Sequence, residues 1–211
     1  MNKTKCLSIF VSGTLIILVV IMVFNFQNII LKLNFSKYYG KYLNQNAYNF
    51  KLKDTSHAPI SLKDYRGKIL FLTFGFSNCN GICPLNMHRF KLLSKKINQM
   101  QIKNVSFAFV SIDPIRDQDL QLKHFVTSFD IHNLKGLISG EDQVLDVARK
   151  YYNYISYDKI KLEKDPTFQI NHNGFIYLIN PTGQLSLIYM QKELKIEKVV
   201  ADIKKINMEN I

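Results

Sequence analysis

Two cysteines, Cys79 and Cys83, are the residues of this chain best suited to chemistry. Three residues separate them, an apolar run over residues 69–76 precedes them, and Pro84 follows the second cysteine. Because proline is favoured at the first position of a helix, the pattern predicts a strand, a thiol loop and a helix that begins near Cys83. The positive end of a helix dipole stabilises the thiolate, which is the form of cysteine that binds metals or attacks disulfides.

The spacing of the two thiols is compatible with a disulfide or with a metal ion. It differs from the two-residue spacing typical of thioredoxin redox motifs, but a loop of this size can still close a disulfide or direct both sulfurs at one ion. Soft thiolates select Cu(I), whereas zinc usually demands four ligands and an iron–sulfur cluster four cysteines. The third cysteine, Cys6, lies in an apolar N-terminal run. A third ligand would therefore be a histidine, a methionine or a carboxylate.

The elements that must position these thiols are predicted as alternating strands and helices. Apolar or alternating runs predict strands at residues 48–53, 69–76, 105–112, 134–138, 175–179 and 185–189. Helical spacing predicts helices at residues 84–99, 117–129, 141–152 and from 196 onwards. The predicted inner face of the first of these helices carries Leu85, His88, Leu92, Leu93 and Ile97. This order indicates an α/β domain with a mixed central sheet, and the dithiol at the first strand-to-helix turn makes a thioredoxin-like fold the natural assignment.

One of the five histidines differs from the others as a candidate for the third ligand. Four occupy predicted turns, helices and loops, where ordinary surface histidines are common: His57, His88, His124 and His132. His172 shortly precedes the predicted strand at residues 175–179. In a thioredoxin-like sheet the loop before that strand passes beside the thiol loop. This position alone leaves a structural role and a metal-binding role equally open.

The N-terminal region predicts a membrane anchor. Residues 6–24 contain no charge and are long enough to cross a bilayer as a helix. No small-residue cleavage pattern follows them, which favours a retained anchor over a removed signal peptide. Lys3 and Lys5 favour a cytoplasmic N-terminus, although three lysines just beyond the span oppose it. The predicted organisation is a cytoplasmic tail at residues 1–5, a transmembrane anchor at 6–24, a linker at 25–45 and a thioredoxin-like domain at 46–211.

The expected location is a bacterial inner membrane, with a single span and the globular domain in the periplasm. The first arginine of the chain is Arg66, so the arginine-rich pattern of a mitochondrial transit peptide is absent. The net charge of +12 is concentrated at the N-terminus, where residues 1–53 carry seven lysines and no acid. The remainder has 21 basic and 16 acidic residues, without a basic helix or an RNA-binding signature. These features argue against a nucleic-acid partner and favour contact of the lysines with the membrane surface.

Four sequence blocks resemble the Sco/SenC family of membrane-anchored, thioredoxin-like copper proteins, which assist assembly of the dinuclear copper centre of cytochrome c oxidase. The blocks lie at residues 75–84 (GFSNCNGICP), 110–117 (VSIDPIRD), 136–140 (GLISG), and at His172 with 177–183 (YLINPTG). The first two blocks together are specific. The resemblance covers roughly residues 48–205 in the family's order.

The resemblance implies a copper site and a partner. The family's copper ligands correspond to Cys79, Cys83 and His172, with Cu(I) favoured and Cu(II) possible. The implied partner is the copper-bearing subunit of cytochrome c oxidase or another copper or thiol protein. Asp113 corresponds to an acidic residue of the family, and both a turn-capping role and a role near the metal are open for it. Many members of the family have Pro-Asp where this chain has Asn80-Gly81, and Asp where it has Asn171. The loss of these two acids removes negative charge near the site, which would weaken Cu(II) binding more than Cu(I) binding and leaves the three donors intact.

Two functions from different classes follow from these residues. The leading hypothesis is a copper chaperone that delivers copper to cytochrome c oxidase. The alternative is a thiol-disulfide oxidoreductase, in which Cys79 attacks a partner and Cys83 resolves the mixed disulfide, so that both would be catalytic. Peroxidase chemistry is less favoured because residues 75–78 lack the proline and threonine of peroxidatic folds.

Overall fold

The structure, a computed structural model, describes residues 16–23, 25, 37–190 and 193–209. The chain divides into two units, and the division falls after Lys37. In the first unit, residues 16–23 are helical (α1); the rest of the predicted tail and anchor at residues 1–15 and 24 lies outside the described residues, as does most of the predicted linker. Among the described ranges, none of the helices combines the length and hydropathy that a membrane span requires.

The second unit is built on an eight-stranded mixed sheet that is flanked by helices. In chain order its elements are β1 (Lys41–Asn46), β2 (Lys51–Asp54), β3 (Pro59–Ser61), β4 (Ile69–Gly75), α2 (Ile82–Gln99), β5 (Val105–Ser111), α3 (Asp119–Thr127), β6 (Leu134–Ile138), α4 (Glu141–Lys150), β7 (Ile155–Ser156), α5 (Lys159–Lys164), β8 (Asn171–His172), β9 (Ile176–Ile179), β10 (Gln184–Tyr189) and α6 (Ile196–Glu209). A 3-10 turn covers Leu62–Tyr65. The predicted mixed α/β architecture is confirmed.

The strand order places the thiol loop beside the segment that contains His172. The large sheet runs β1-β10-β9-β4-β5-β6-β2-β3, and β7 pairs with β8 in a separate two-stranded sheet. Strands β4, β5 and β6 are parallel, whereas β9 is antiparallel to β4. Because β9 runs against β4, the start of β9 lies beside the end of β4, as the pairing of Thr73 with Ile176 shows. The thiol loop after β4 and the histidine segment before β9 therefore meet at one edge of the sheet.

The central strands and α2 are held together by aromatic packing. All seven residues of β4 and of β5 are buried, as expected for parallel strands covered on both faces. Phe71 of β4 stacks on Phe107 of β5 at 5.6 Å between ring centroids. Phe90 of α2 packs against both rings, at 6.4 Å from Phe71 and 5.0 Å from Phe107. This contact sets the face that α2 turns toward the sheet.

The predicted inner face of α2 is partly wrong. Leu93 and Ile97 are buried as predicted, but Leu85, His88 and Leu92 are exposed. The buried stripe instead contains Cys83, Asn86, Met87, Arg89, Phe90, Leu93, Ser94 and Ile97. The bulky Phe90 and Met87 face the sheet, so the helix is turned about its axis relative to the predicted orientation. In this orientation Cys83 faces the interior.

The folded unit also begins earlier than the sequence indicates. The sequence predicts a linker over residues 25–45, whereas the structure places residues 41–46 in β1, which pairs with β10 at the edge of the sheet. No residue of β1 is buried. Its sequence is mostly polar and lacks the apolar pattern that predicts a core strand. Just before it, the carboxylate of Asp202 in α6 accepts hydrogen bonds from the amides of Tyr39 at 2.9 Å and Gly40 at 3.0 Å.

We expect the Asp202 carboxylate to stabilise the folded domain. Asp202 is fully buried and also accepts a hydrogen bond from the Tyr189 hydroxyl at 3.1 Å. We expect Asp202→Ala to lower the free energy of unfolding by about 3 kcal/mol, because buried amides lose a charged acceptor. Urea unfolding would measure the change, with Lys204→Ala on the exposed face of α6 as the control. Equal stabilities of the two variants would contradict this role.

Candidate metal centre

The thiol loop between β4 and α2 is fixed at its start by a buried carboxylate. Asp117 accepts hydrogen bonds from the Ser77 amide at 3.0 Å and from the Ser77 hydroxyl. It also accepts one from the Ser111 hydroxyl at 2.7 Å. Burial raises the pKa of the Asp117 carboxyl. The carboxylate thereby ties the loop that carries Cys79 to the end of β5.

Cys83 lies in the first turn of α2 and is fully buried, whereas Cys79 is half-buried. The sulfur of Cys83 packs against the end of β4, where Gly75 provides the space. A methyl group at Gly75 would lie 2.5 Å from Cys83 Sγ, closer than real Cβ contacts allow. Gly75 therefore permits the close approach of this sulfur to the strand. Both cysteines are free thiols in the structure.

His172 lies in β8 and points one ring nitrogen at the sulfur of Cys83. The strand is held by antiparallel pairing with β7, where His172 is opposite Ile155. Nδ1 lies 3.0 Å from the carbonyl oxygen of Ile170, and Nε2 lies 3.4 Å from Cys83 Sγ. Because a carbonyl only accepts hydrogen bonds, Nδ1 is the donor in the first contact, and Nε2 is the ring nitrogen that faces the sulfur. This is the arrangement by which histidine ligands of metals are usually oriented.

These three side chains form a set of soft donors. The sulfurs of Cys79 and Cys83 and a nitrogen of His172 all lie within 4.8 Å of one another. Two atoms bound to one ion at about 2.0–2.3 Å are at most roughly 4.6 Å apart, so one ion could reach all three donors with small adjustments. Two thiolates and an imidazole suit Cu(I) or zinc, and the half-buried Cys79 leaves one side of the set accessible.

The two thiols differ in their affinity for protons. The Cys83 thiol donates a hydrogen bond to the Cys79 sulfur, and backbone amides of Cys83 and Gly81 add to it; together they outweigh burial and lower the pKa of Cys79 to about 5. The same hydrogen bond, together with burial, raises the pKa of Cys83 well above its ordinary value. At neutral pH the site therefore holds one accessible thiolate and one buried thiol.

The segment after His172 is fastened to α2 by a buried amide. Asn86 Nδ2 donates to the carbonyl of Gly174 at 3.0 Å and to the Thr73 hydroxyl at 3.2 Å. The Asn86 carbonyl oxygen accepts from Arg89 Nη1 at 2.9 Å. Gly174 packs so closely on α2 that a methyl group there would overlap the side chain of Ile82. Asn86 is not among the predicted site residues, and its signal in the sequence is a polar side chain within the buried stripe of α2.

The segment before His172 is fastened by Arg116. Its Nη1 donates to the carbonyls of Pro166 at 3.1 Å and Phe168 at 2.8 Å. Its Nε pairs with the buried carboxylate of Asp113 at 2.5 Å, and its guanidinium lies 5.5 Å from the ring centroid of Phe76. Asp113, for which a capping role and a role near the metal were both open, thus forms an ion pair with Arg116.

The four other histidines lie apart from the cluster of donors. The cluster found among the described residues contains Cys79, Cys83 and His172 only. The exposed His57 pairs with Asp119 at 3.1 Å, and His88 and His124 lie on exposed faces of α2 and α3. The structure therefore brings together the three predicted ligands and leaves out the histidines that the sequence disfavoured.

The sequence and the fold of this chain are similar to those of known proteins. A family model described as SCO1/SenC matches residues 41–207. Protein SCO2, mitochondrial, from Saccharomyces cerevisiae is 33% identical over 136 residues, which are 64% of this chain and 44% of that protein. The SCO2 homolog of Mus musculus is 28% identical over 158 residues, which are 74% of this chain and 60% of that protein. The matches thus span about half the length of these relatives.

Two solved structures with similar folds contain copper. The structure of Arabidopsis thaliana ScoI with copper bound has a TM-score of 0.67 and 25% identity, and the match covers 77% of this chain and 98% of that one. Yeast Sco1 with copper bound has a TM-score of 0.67 and 27% identity, with 76% and 87% covered.

The inequality of the thiols can be tested by titration. Thiolate absorbance at 240 nm should show one group ionising near pH 5 and a second only above pH 9. Cys83→Ala should move the remaining transition toward the ordinary cysteine pKa, because Cys79 loses the hydrogen-bond donor that contributes most to its shift. A wild-type protein in which both thiols titrate together near the ordinary value would contradict this assignment.

The close packing at Gly174 can be tested by a compensating pair of substitutions. Gly174→Ala should displace the histidine segment, because the added methyl overlaps Ile82. With Co²⁺ as an optical probe of the donors, we expect binding about 10-fold weaker or more. The double variant Gly174→Ala, Ile82→Ala should recover most of this loss, with Ile82→Ala alone as the control. Failure of the double variant to recover affinity would exclude this overlap as the cause.

Proposed function

Because the chain belongs to the SCO1/SenC family, we propose that it carries copper on Cys79, Cys83 and His172 and delivers it to the dinuclear copper centre of cytochrome c oxidase. The observation that carries the proposal is the convergence of these three donors within 4.8 Å. It is supported by the copper-bound structures of the Arabidopsis and yeast proteins, whose folds match this one. Copper is the cargo of the site.

The donor set suits the capture and release of Cu(I). Two sulfurs and one imidazole nitrogen are soft or borderline ligands, which favour Cu(I) over harder ions. Three protein donors leave a copper ion open to further ligands. Cys79 is half-buried, so an acceptor's ligands would approach from its side and displace the donors in turn.

Proton release accompanies binding in this proposal. Cys79 is ionised at neutral pH because its pKa is about 5, whereas Cys83 keeps its proton because its pKa is raised. Copper bound to both sulfurs must therefore displace the proton of Cys83. Between pH 7 and 8 the apparent affinity should rise about tenfold per pH unit from this proton alone.

The location and the partner also belong to the proposal. Residues 6–24 would anchor the chain in a bacterial inner membrane, with residues 1–5 in the cytoplasm and residues 25–45 leading to the copper-binding domain in the periplasm. The support for the anchor is the uncharged sequence of this segment. The acceptor would be the copper-bearing subunit of cytochrome c oxidase or another copper or thiol protein.

A second candidate function rests on the unequal thiols. In a thiol-disulfide oxidoreductase, the Cys79 thiolate attacks a disulfide of the partner, forms a mixed disulfide and releases one partner thiolate. Cys83 then loses its proton and attacks Cys79, which releases the second partner thiolate and leaves a Cys79–Cys83 disulfide. The accessible, acidic Cys79 in front of the buried Cys83 favours this order.

The copper proposal predicts one Cu(I) per chain and a dependence on His172. With reduced thiols and a competing chromogenic chelator, His172→Ala should weaken Cu(I) binding by about 100-fold, because one of three donors is lost. His124→Ala, on the exposed face of α3, is the control and should bind as the wild type does. Full affinity of His172→Ala would refute the three-donor site. Copper-free disulfide reduction that needs both cysteines but not His172 would favour the oxidoreductase.

A further inference from the structure

One half-buried side chain connects the thiol loop with the segment that leads to His172. Gln169 Oε1 accepts a hydrogen bond from the amide of Asn80 at 3.2 Å. Gln169 Nε2 donates to the carbonyl of Asn78 at 3.1 Å and to that of Thr167 at 2.9 Å. The amide and carbonyl that Gln169 binds in the thiol loop belong to the residues on either side of Cys79.

A primary carboxamide is suited to this place because it offers a donor and an acceptor together, as a peptide group does. Gln169 therefore pairs with the backbone around Cys79 much as a strand would. It stands three residues before His172, and these hydrogen bonds of Gln169 go to backbone groups, not to the three donor atoms. Its effect on them would pass through the backbone of the two segments.

The other attachments of the histidine segment lie farther from Cys79 or farther from His172. Asn86 and β7 hold the histidine segment against α2 and the α4–α5 connection. Arg116 holds the segment earlier in the chain, at Pro166 and Phe168. Asn78 also donates to the carbonyl of Pro166 at 2.5 Å, but that contact lies six residues before His172. The bonds of Gln169 are the nearest to both Cys79 and His172 among these contacts.

We propose that Gln169 is a positioning residue that sets the separation between the Cys79 sulfur and the His172 imidazole. The inference rests on the proposed copper function and names a residue that tunes its site. Without the Gln169 bonds, the link from Asn78 to Pro166 still joins the two segments, but it lies six residues before His172 and does not fix the spacing between Cys79 and His172. Copper would then bind to the cysteines with a poorly placed third donor.

Gln169→Leu tests this role because leucine keeps the bulk of the side chain and removes its hydrogen bonds. We expect the Cu(I) affinity of Gln169→Leu to fall about 10-fold, as is typical when a residue that orients a ligand is lost. Gln121→Leu, at an exposed position of α3, is the matched control and should leave the affinity unchanged. Wild-type affinity in Gln169→Leu would overturn the proposal.

A double-variant cycle separates positioning from general weakening of the domain. When Gln169→Leu is added to His172→Ala, the further loss should be less than about 2-fold, because no imidazole remains to be positioned. An equal loss in both backgrounds would show that Gln169 acts independently of His172 and would overturn the inference.

A metal-free measurement distinguishes failure of this inference from failure of the copper function. In Gln169→Leu, the amide hydrogen of Asn80 should exchange faster and the ring signals of His172 should shift in NMR spectra. If wild-type protein binds no copper, the proposed function fails, while these changes would still support the positioning role. Unchanged exchange and unchanged ring signals would overturn it.

Discussion

The close packing of Gly174 on the first turn of α2 is the contact on which the site depends. It allows the backbone after His172 to lie where any side chain at Gly174 would collide with Ile82. Asn86 then reaches the Gly174 carbonyl at 3.0 Å. Because α2 also carries Cys83, this contact brings the imidazole nitrogen to 3.4 Å from the sulfur. The absence of a side chain at Gly174 and the hydrogen bond from Asn86 together fix the position of the segment that carries His172.

The order of the strands makes this contact possible. Parallel strands place their ends at the same edge, and an antiparallel neighbour presents its beginning there. Strand β4 has β5 on one side and β9 on the other. The loops after β4 and β5 and the segment before β9 therefore share one edge, where Asp117 and Arg116 tie them together. The thiol loop is consequently braced from two directions while Cys79 stays accessible.

The same arrangement makes the thiols unequal in a way that suits transfer of a metal ion. A buried thiol that donates to an accessible thiolate concentrates negative charge on the exposed side of the site. The accessible sulfur is thus ready to bind without deprotonation, whereas the buried one must exchange its proton for the ion. In the proposed copper function, binding is therefore coupled to pH through the proton of Cys83.

The sequence by itself determined the order of the strands and helices, the thiol loop and the three candidate donors, because these follow from local periodicity and from short motifs. It left undecided whether His172, 89 residues beyond Cys83, reaches the sulfurs. It does not indicate β1, the full inner face of α2 or the contacts of Asn86 and Gln169. These depend on which surfaces meet: edge strands carry no apolar pattern, a helix turns its bulkiest stripe to the sheet, and polar contacts form between segments distant in the chain. Only tertiary packing decides them.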